Sequence, residues 1–236
     1  MQSRESIQSE WYLDYYARVG ADRNSLRHNP GVMFQVLGLE RSFISAIRKV
    51  EHDPKLAKVL DVGCGSGGDI YQLLRVSYLP ENMSGIDVQR DRLDGAAATY
   101  RSISFINGDA AKISSADSSY DLVFESTMFA TLPDQKVSEA IASEMIRVCS
   151  PNGYLLLLDW RIPKPGAPNY SALTKQRLEK MFYLGQRTEL VGVYPGALVP
   201  PVGRFLSAYL PSMYFLVAAL FPFLVGQVAY LLRKKA

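Results

Sequence analysis

The chain has 236 residues, 48% hydrophobic and 21% charged, which is enough to bury a substantial core and excludes wholesale disorder. A net charge of +3 with no lysine/arginine stripe argues against nucleic acid as a partner; the basic cluster is Arg233-Lys234-Lys235. Two distant cysteines, Cys64 and Cys149, form neither a disulfide framework nor a zinc pattern, which suits a reducing, cytoplasmic setting.

The amino terminus is polar and predicts no signal peptide. Residues 1–50 read as a helical cap ahead of one domain over 51–236. In the cap, Trp11, Tyr12, Tyr15 and Tyr16 group on a short helical piece. Asn29-Pro30 then starts a helix in which Met33, Val36, Leu37, Phe43, Ile44 and Ile47 recur at helical spacing.

Short apolar runs and helical stretches alternate over the next hundred residues. Val59–Val62 predicts a buried strand ending in glycines, followed by a helix carrying Ile70, Leu73 and Leu74. Met83–Ile86 predicts a second strand that ends at Asp87, Asp91–Tyr100 a helix, Ser104–Ile106 a third strand and Tyr120–Phe124 a fourth. Asp134 is the expected N-cap of a helix running to about Cys149. Ser150–Gly153 reads as a turn and Tyr154–Leu158 as a fifth, wholly apolar strand. Uninterrupted apolar strands alternating with helices predict an α/β fold with a parallel sheet covered on both faces.

The first strand runs into VLDVGCGSGG, Val59 to Gly68. Glycines after a strand let the backbone approach a ligand, and the next helix presents free N–H groups to it. Gly63, Gly65 and Gly68 also satisfy G-x-G-x-x-G, so a dinucleotide cofactor competes at this point. Either cofactor wants an acid at the end of the second strand to take two ribose hydroxyls, and Asp87 stands there.

Further features separate the two. Asp61 precedes the glycines, Asn107-Gly108-Asp109-Ala110 follows the third strand, and YDLVF leads to a helix ending RVCSPNGYLLLLD. In order, D-V-G-C-G-S-G, G-I-D-V, N-G-D-A, Y-D-L-V-F and R-V-x-x-P-x-G resemble the motifs of class I S-adenosylmethionine-dependent methyltransferases, of the methyltransferase type 11 kind. The resemblance covers roughly Val59 to Asp159. It implies a Rossmann-like, seven-stranded, mostly parallel sheet with helices on both faces and an antiparallel final strand. It implies S-adenosylmethionine as cofactor, with Asp61 and the backbone of Gly63, Cys64 and Gly65 at the methionine end. Asp87 would take the ribose hydroxyls, with Val88 against the adenine. Asp109 and the N–H of Ala110 would read the adenine edge. Glu125, expected just past the fourth strand, would border the methionine moiety. Cys64 reads as a small residue in a tight turn rather than a nucleophile.

An oxygen acceptor needs a base, whereas a carbon or nitrogen acceptor need not. Asp159, ending the fifth strand in Asp159-Trp160-Arg161, is the first candidate; its alternative is an ion pair with Arg161 or another arginine. His28 is the second, with a structural role as its alternative. No metal-ligand pattern occurs, so no metal is expected. Trp11, Tyr12, Tyr15, Tyr16 and Trp160 could floor an acceptor site, or pack as core. The N-P element, D-W-R, P-P and the apolar tail closing in R-K also resemble methyltransferases of bacterial polysaccharide and O-antigen biosynthesis. That implies O-methylation of a sugar in a glycan or lipid-linked saccharide. Competing acceptors are a lipid or quinone, or a small secondary metabolite. Competing classes are a NAD-type oxidoreductase and a catalytically silent S-adenosylmethionine-binding module.

Thr188–Tyr194 and Gln227–Leu232 fit a sixth and a seventh strand. Between them Phe205–Phe221 reads as one apolar helix, packed on the sheet or lying on a membrane. The charge-free run 205–232 is long enough to be a transmembrane anchor, but Pro211, Pro222 and Gly226 interrupt it.

Overall fold

The computed structural model describes residues 21–132, 134–164 and 170–236. Trp11, Tyr12, Tyr15 and Tyr16 of the expected cap lie outside the described residues. Asn29 accepts a hydrogen bond from the Gly31 N–H and caps a 3-10 turn over Pro30–Val32, from which α1 (Met33–Ile47) continues. Proline suits this first turn because its missing N–H would have had no helical partner.

Next come β1 (Val59–Val62), α2 (Ile70–Arg75), β2 (Met83–Asp87), α3 (Arg90–Thr99), β3 (Ser104–Asn107), β4 (Tyr120–Ser126), α4 (Gln135–Val148) and β5 (Cys149–Trp160). The carboxyl-terminal third adds α5 (Lys175–Met181), β6 (Thr188–Pro195), α6 (Pro200–Tyr209), α7 (Tyr214–Leu220) and β7 (Gln227–Lys234). Asp134 caps α4 as expected, accepting from the N–H groups of Lys136 and Val137.

The sheet runs β3-β2-β1-β4-β5-β7-β6. The first five strands pair in parallel, and β7 lies antiparallel between β5 and β6. Side chains alternate between the two faces, as strand geometry demands. Leu155 and Leu157 join one core with Met145 and Ile146 of α4 and Leu178 of α5. Leu156 and Leu158 join the other with Phe43 of α1 and Leu73 of α2. The Phe43 ring meets Phe124 of β4 edge-on at 6.0 Å. α1, read from the sequence as part of a separate cap, therefore packs directly on the sheet.

Two expectations are corrected. Ser150–Gly153 is not a turn between elements but a bulge inside β5. Cys149 pairs with Tyr120, pairing resumes at Leu122 and Tyr154, and Asn152 takes up the excess at φ +61°. Phe205–Phe221 is not one helix, because Pro211 and Pro222 lack the N–H that would continue it and start 3-10 turns instead. Among the described residues no helix is long and apolar enough to cross a membrane.

Candidate active site

Strand order reverses between β1 and β4, where an open α/β sheet leaves a crevice at its carboxyl edge. β1 is buried along its whole length and delivers the chain there as a sharp loop. Gly63, at φ +72°, donates its N–H to the Ile86 carbonyl at 2.8 Å; a Cβ on it would lie 2.9 Å from Met128 Sδ. Only glycine combines that backbone with that approach.

The glycine loop is tied to the end of β2 through Asp87. Its carboxylate accepts from the Gly65 N–H at 2.9 Å and from the Gln89 N–H at 2.8 Å. Asn107 secures the neighbouring turn, donating from Nδ2 to the carbonyls of Asp87 and Val88. Asp109 accepts from the Ala111 N–H at 2.9 Å.

These groups border a cleft of about 650 Å³. Gly63, Asp87, Val88, Asp109 and Ala110, all expected from the sequence, line one side of it. Ser126, Thr127, Met128, Thr131, Leu132, Val137 and Ile141 line the other. Thr127 holds φ +60°, a costly conformation for a β-branched residue, and strain of this kind gathers at functional sites. Its hydroxyl accepts from Gln227 Nε2 at 3.2 Å.

The other expected residues lie behind that lining. Asp61 is buried at the end of β1, and burial, reinforced by the charges of Asp69 and Asp87, pushes its carboxyl well above the ordinary range. Glu125 lies inside β4 rather than past it and is wholly buried. Its Oε2 accepts from the Met128 N–H at 3.0 Å, while Oε1 has no hydrogen-bond partner among the described residues. Burial, then the neighbouring Asp159, raises its carboxyl far above the usual value. Cys64 sits against Gly85 of β2, where a Cβ would lie 2.7 Å from its Sγ. Burial, then Asp61 and Asp87, pushes the thiol far up, which matches a packing residue and not a nucleophile.

Neither residue expected to act as a base lines the cleft. Asp159 is fully buried; it accepts from the Ala130 N–H at 2.9 Å and the Trp160 N–H at 2.7 Å. The arginine that acts on it electrostatically is Arg177, while Arg161 donates to the carbonyls of Val225 and Pro222. His28 is exposed and pairs with Asp22 at 2.8 Å. Among the described residues no group of three His, Cys, Asp or Glu side chains is arranged to hold a metal ion.

The sequence reading missed Asp69, Thr127 and Arg177. Asp69 is held by Gln72 at 2.6 Å and by Ser126. Arg177 donates to the carbonyls of Phe129, Ser171 and Leu132 and to the Ser138 hydroxyl. It thereby grips the same turn of the cleft wall that Asp159 holds at Ala130. Asp69, next to the glycines, was the one of the three with a local signal.

Residues 59–153 match the methyltransferase-domain family. This segment is a methyltransferase domain. The cofactor of the domain is S-adenosylmethionine, and the geometry fits it. Asp61, Asp69 and Glu125 are three neighbouring acids with an unpartnered carboxylate oxygen among them, suited to an ammonium group.

The chain is 33% identical over 156 residues to the 2-methyl-6-phytyl-1,4-hydroquinone methyltransferase of Synechocystis, a match covering 63% of this chain and 46% of that protein. It is 29% identical over 144 residues to the sterol 24-C-methyltransferase erg-4 of Neurospora crassa, covering 57% and 35%. The chain thus spans between about a third and a half of these curated relatives. The N-methyltransferase NodS of Bradyrhizobium japonicum, solved with S-adenosyl-L-homocysteine, shares the fold of the methyltransferase domain. It superposes with a TM-score of 0.62 at 15% identity, covering 94% of this chain and 98% of that one.

Proposed function

We propose that the whole chain is an S-adenosylmethionine-dependent methyltransferase acting on a lipid, a molecule with a polar head and an extended apolar chain. The observation that carries this reading is the apolar wall of the cleft at Met128, Leu132, Val137 and Ile141, beyond the polar end at Asp87, Asp109 and Arg92 that the cofactor would take. Relatives named for a phytyl hydroquinone, a sterol and tocopherol support it. A lipid-linked saccharide, one of the acceptors implied by the O-antigen resemblance, remains within the class.

Asp87 and Asp109 would hold the ribose and adenine of the cofactor, and the buried acids the methionine ammonium. When bound, the cofactor supplies an electrophilic methyl carbon on a sulfonium. The chain's own task is then to align the acceptor atom behind that carbon and keep water out, which can account for several orders of magnitude in rate. The apolar wall does the second. Thr127, whose hydroxyl proton is left after accepting from Gln227, is placed to orient the acceptor's polar head. We assign Asp159 a positioning role, since both of its oxygens are engaged by backbone N–H groups under the wall.

The test is transfer of radiolabelled methyl from S-adenosylmethionine by the purified chain. The acceptors are a prenylated hydroquinone, a sterol and a fatty acid in detergent micelles, and water-soluble saccharides. Label should enter the organic phase. Label confined to the soluble saccharides would overturn the lipid reading.

A further inference from the structure

The segment between β6 and β7 turns an apolar face to solvent. α6 buries Gly203, Leu206 and Ser207 and points Phe205 and Tyr209 outward. α7 buries Tyr214 and Ala218 and leaves Leu220 exposed, and Phe221 and Phe223 follow on the Pro222–Leu224 turn. Tyr209 is 73% exposed, Phe223 69% and Leu220 64%. Single exposed apolar residues are ordinary, but a contiguous face of large ones marks a docking surface.

Within the segment the charged side chains are of one sign, and Asp22 and Glu40, on the elements packed against it, pair with His28 and Arg75. No carboxylate side chain occurs from Leu190 to Ala236. Arg161 holds the Pro222–Leu224 turn by donating to the carbonyls of Pro222 and Val225, neutral acceptors that leave its charge in place. Arg41 lies over the Phe215 ring of α7 at 5.3 Å. A two-fold partner copy would bring these cations against themselves with no acid in the segment to meet them. An anionic headgroup layer meets both the cations and the aromatic side chains, which favour the headgroup boundary.

The face also lies at the cleft end of the sheet. Gly226, just beyond the Pro222–Leu224 turn, accepts from the Arg161 N–H at 2.8 Å, and Gln227 reaches Thr127 in the cleft wall. We propose that α6, α7 and the Pro222–Leu224 turn dock the protein on an anionic lipid bilayer, with the cleft end of the sheet toward the lipid. Its purpose rests on the lipid-acceptor reading, whereas its test uses no acceptor.

The test is co-sedimentation of the full chain with vesicles of phosphatidylcholine alone or with one third phosphatidylglycerol. Binding should be several-fold stronger to the anionic vesicles and weaken with salt, as surface charge attraction does. The Leu220→Asp/Phe223→Asp double variant should bind about ten-fold more weakly, since each change places a charge where an apolar side chain would enter the interface. Its melting temperature and S-adenosylhomocysteine affinity should stay unchanged, because both residues are exposed. The proposal is overturned if the wild-type chain stays in the supernatant or the double variant binds like wild type. It is also overturned if the chain is a dimer that the double variant dissociates, since a second copy would then cover the face. A chain that binds vesicles but methylates no lipid keeps the docking surface and sinks the acceptor reading; one that methylates micellar lipid but ignores vesicles does the reverse.

Discussion

At Asp159, burial and hydrogen bonding oppose each other. Burial raises the carboxyl, the N–H groups of Trp160 and Ala130 and the charge of Arg177 pull it back, and it settles at about 7. In the unfolded chain the same group titrates near 3.9. Between those values the folded chain holds a proton that the unfolded chain has released. The associated stability is therefore present below about pH 4 and lost as pH rises through 7. Glu125 and Asp61 are displaced in the same direction. The melting temperature of the cofactor-free protein should thus fall from pH 5 to pH 8, and Asp159→Asn should flatten the fall. Identical slopes in scanning calorimetry would remove Asp159 from this account. Asp61, Asp87 and Asp109 were legible in the sequence because each lies within two residues of the carboxyl end of a strand. The sequence could not show that Ala130 and Trp160 would engage Asp159, since the Ala130 contact joins residues 29 apart.

Elements with a strong local pattern were legible, and the others were not. Strands β1, β4 and β5 are buried on both faces over residues 59–62, 122–125 and 154–159, so they read as short, mostly apolar runs. The tail is apolar too, and hydropathy alone does not distinguish a covered face from an exposed one. Its prolines marked the breaks that divide α6 from α7. The turn at Phe129–Thr131 had no signature, because it is held in place from outside. Asp159 accepts at Ala130, and Arg177 of α5 donates at Phe129 and Leu132. Arg177→Gln should release that turn. Losing two such charged hydrogen bonds from a partly buried site costs roughly 3–6 kcal/mol, and about 2–4 °C in Tm accompanies each kcal/mol in a chain of this size. The turn carries Thr131 and adjoins Leu132 of the acceptor wall, so KM for the acceptor should rise while KM for S-adenosylmethionine changes little. A variant that weakens both equally would show that Arg177 supports the fold as a whole.

Across the whole molecule, the ordered motifs gather in one stretch of the chain, while the proposed acceptor wall draws on that stretch and on the carboxyl-terminal third. The half from Val59 to Asp159 supplies the glycine loop, Asp87 and Asp109. The carboxyl-terminal third supplies the clamp at Arg177, the Gln227 contact and the apolar face. Only the first half carries ordered motifs, so the methyl donor was legible in the sequence and the acceptor was not. The glycine loop by itself still admitted a dinucleotide, and a ligand-linked stability measurement on the intact chain discriminates between them. A ligand that binds only the folded chain stabilises it by about 2.7 kcal/mol at one hundred times its Kd, or roughly 5–11 °C in Tm. S-adenosylhomocysteine should produce that shift, and NADH at the same concentration should produce none. Asp87→Ala should abolish most of it, because the substitution removes the carboxylate that borders the cleft and anchors Gly65. A shift with NADH and none with S-adenosylhomocysteine would transfer the glycine loop to the other cofactor.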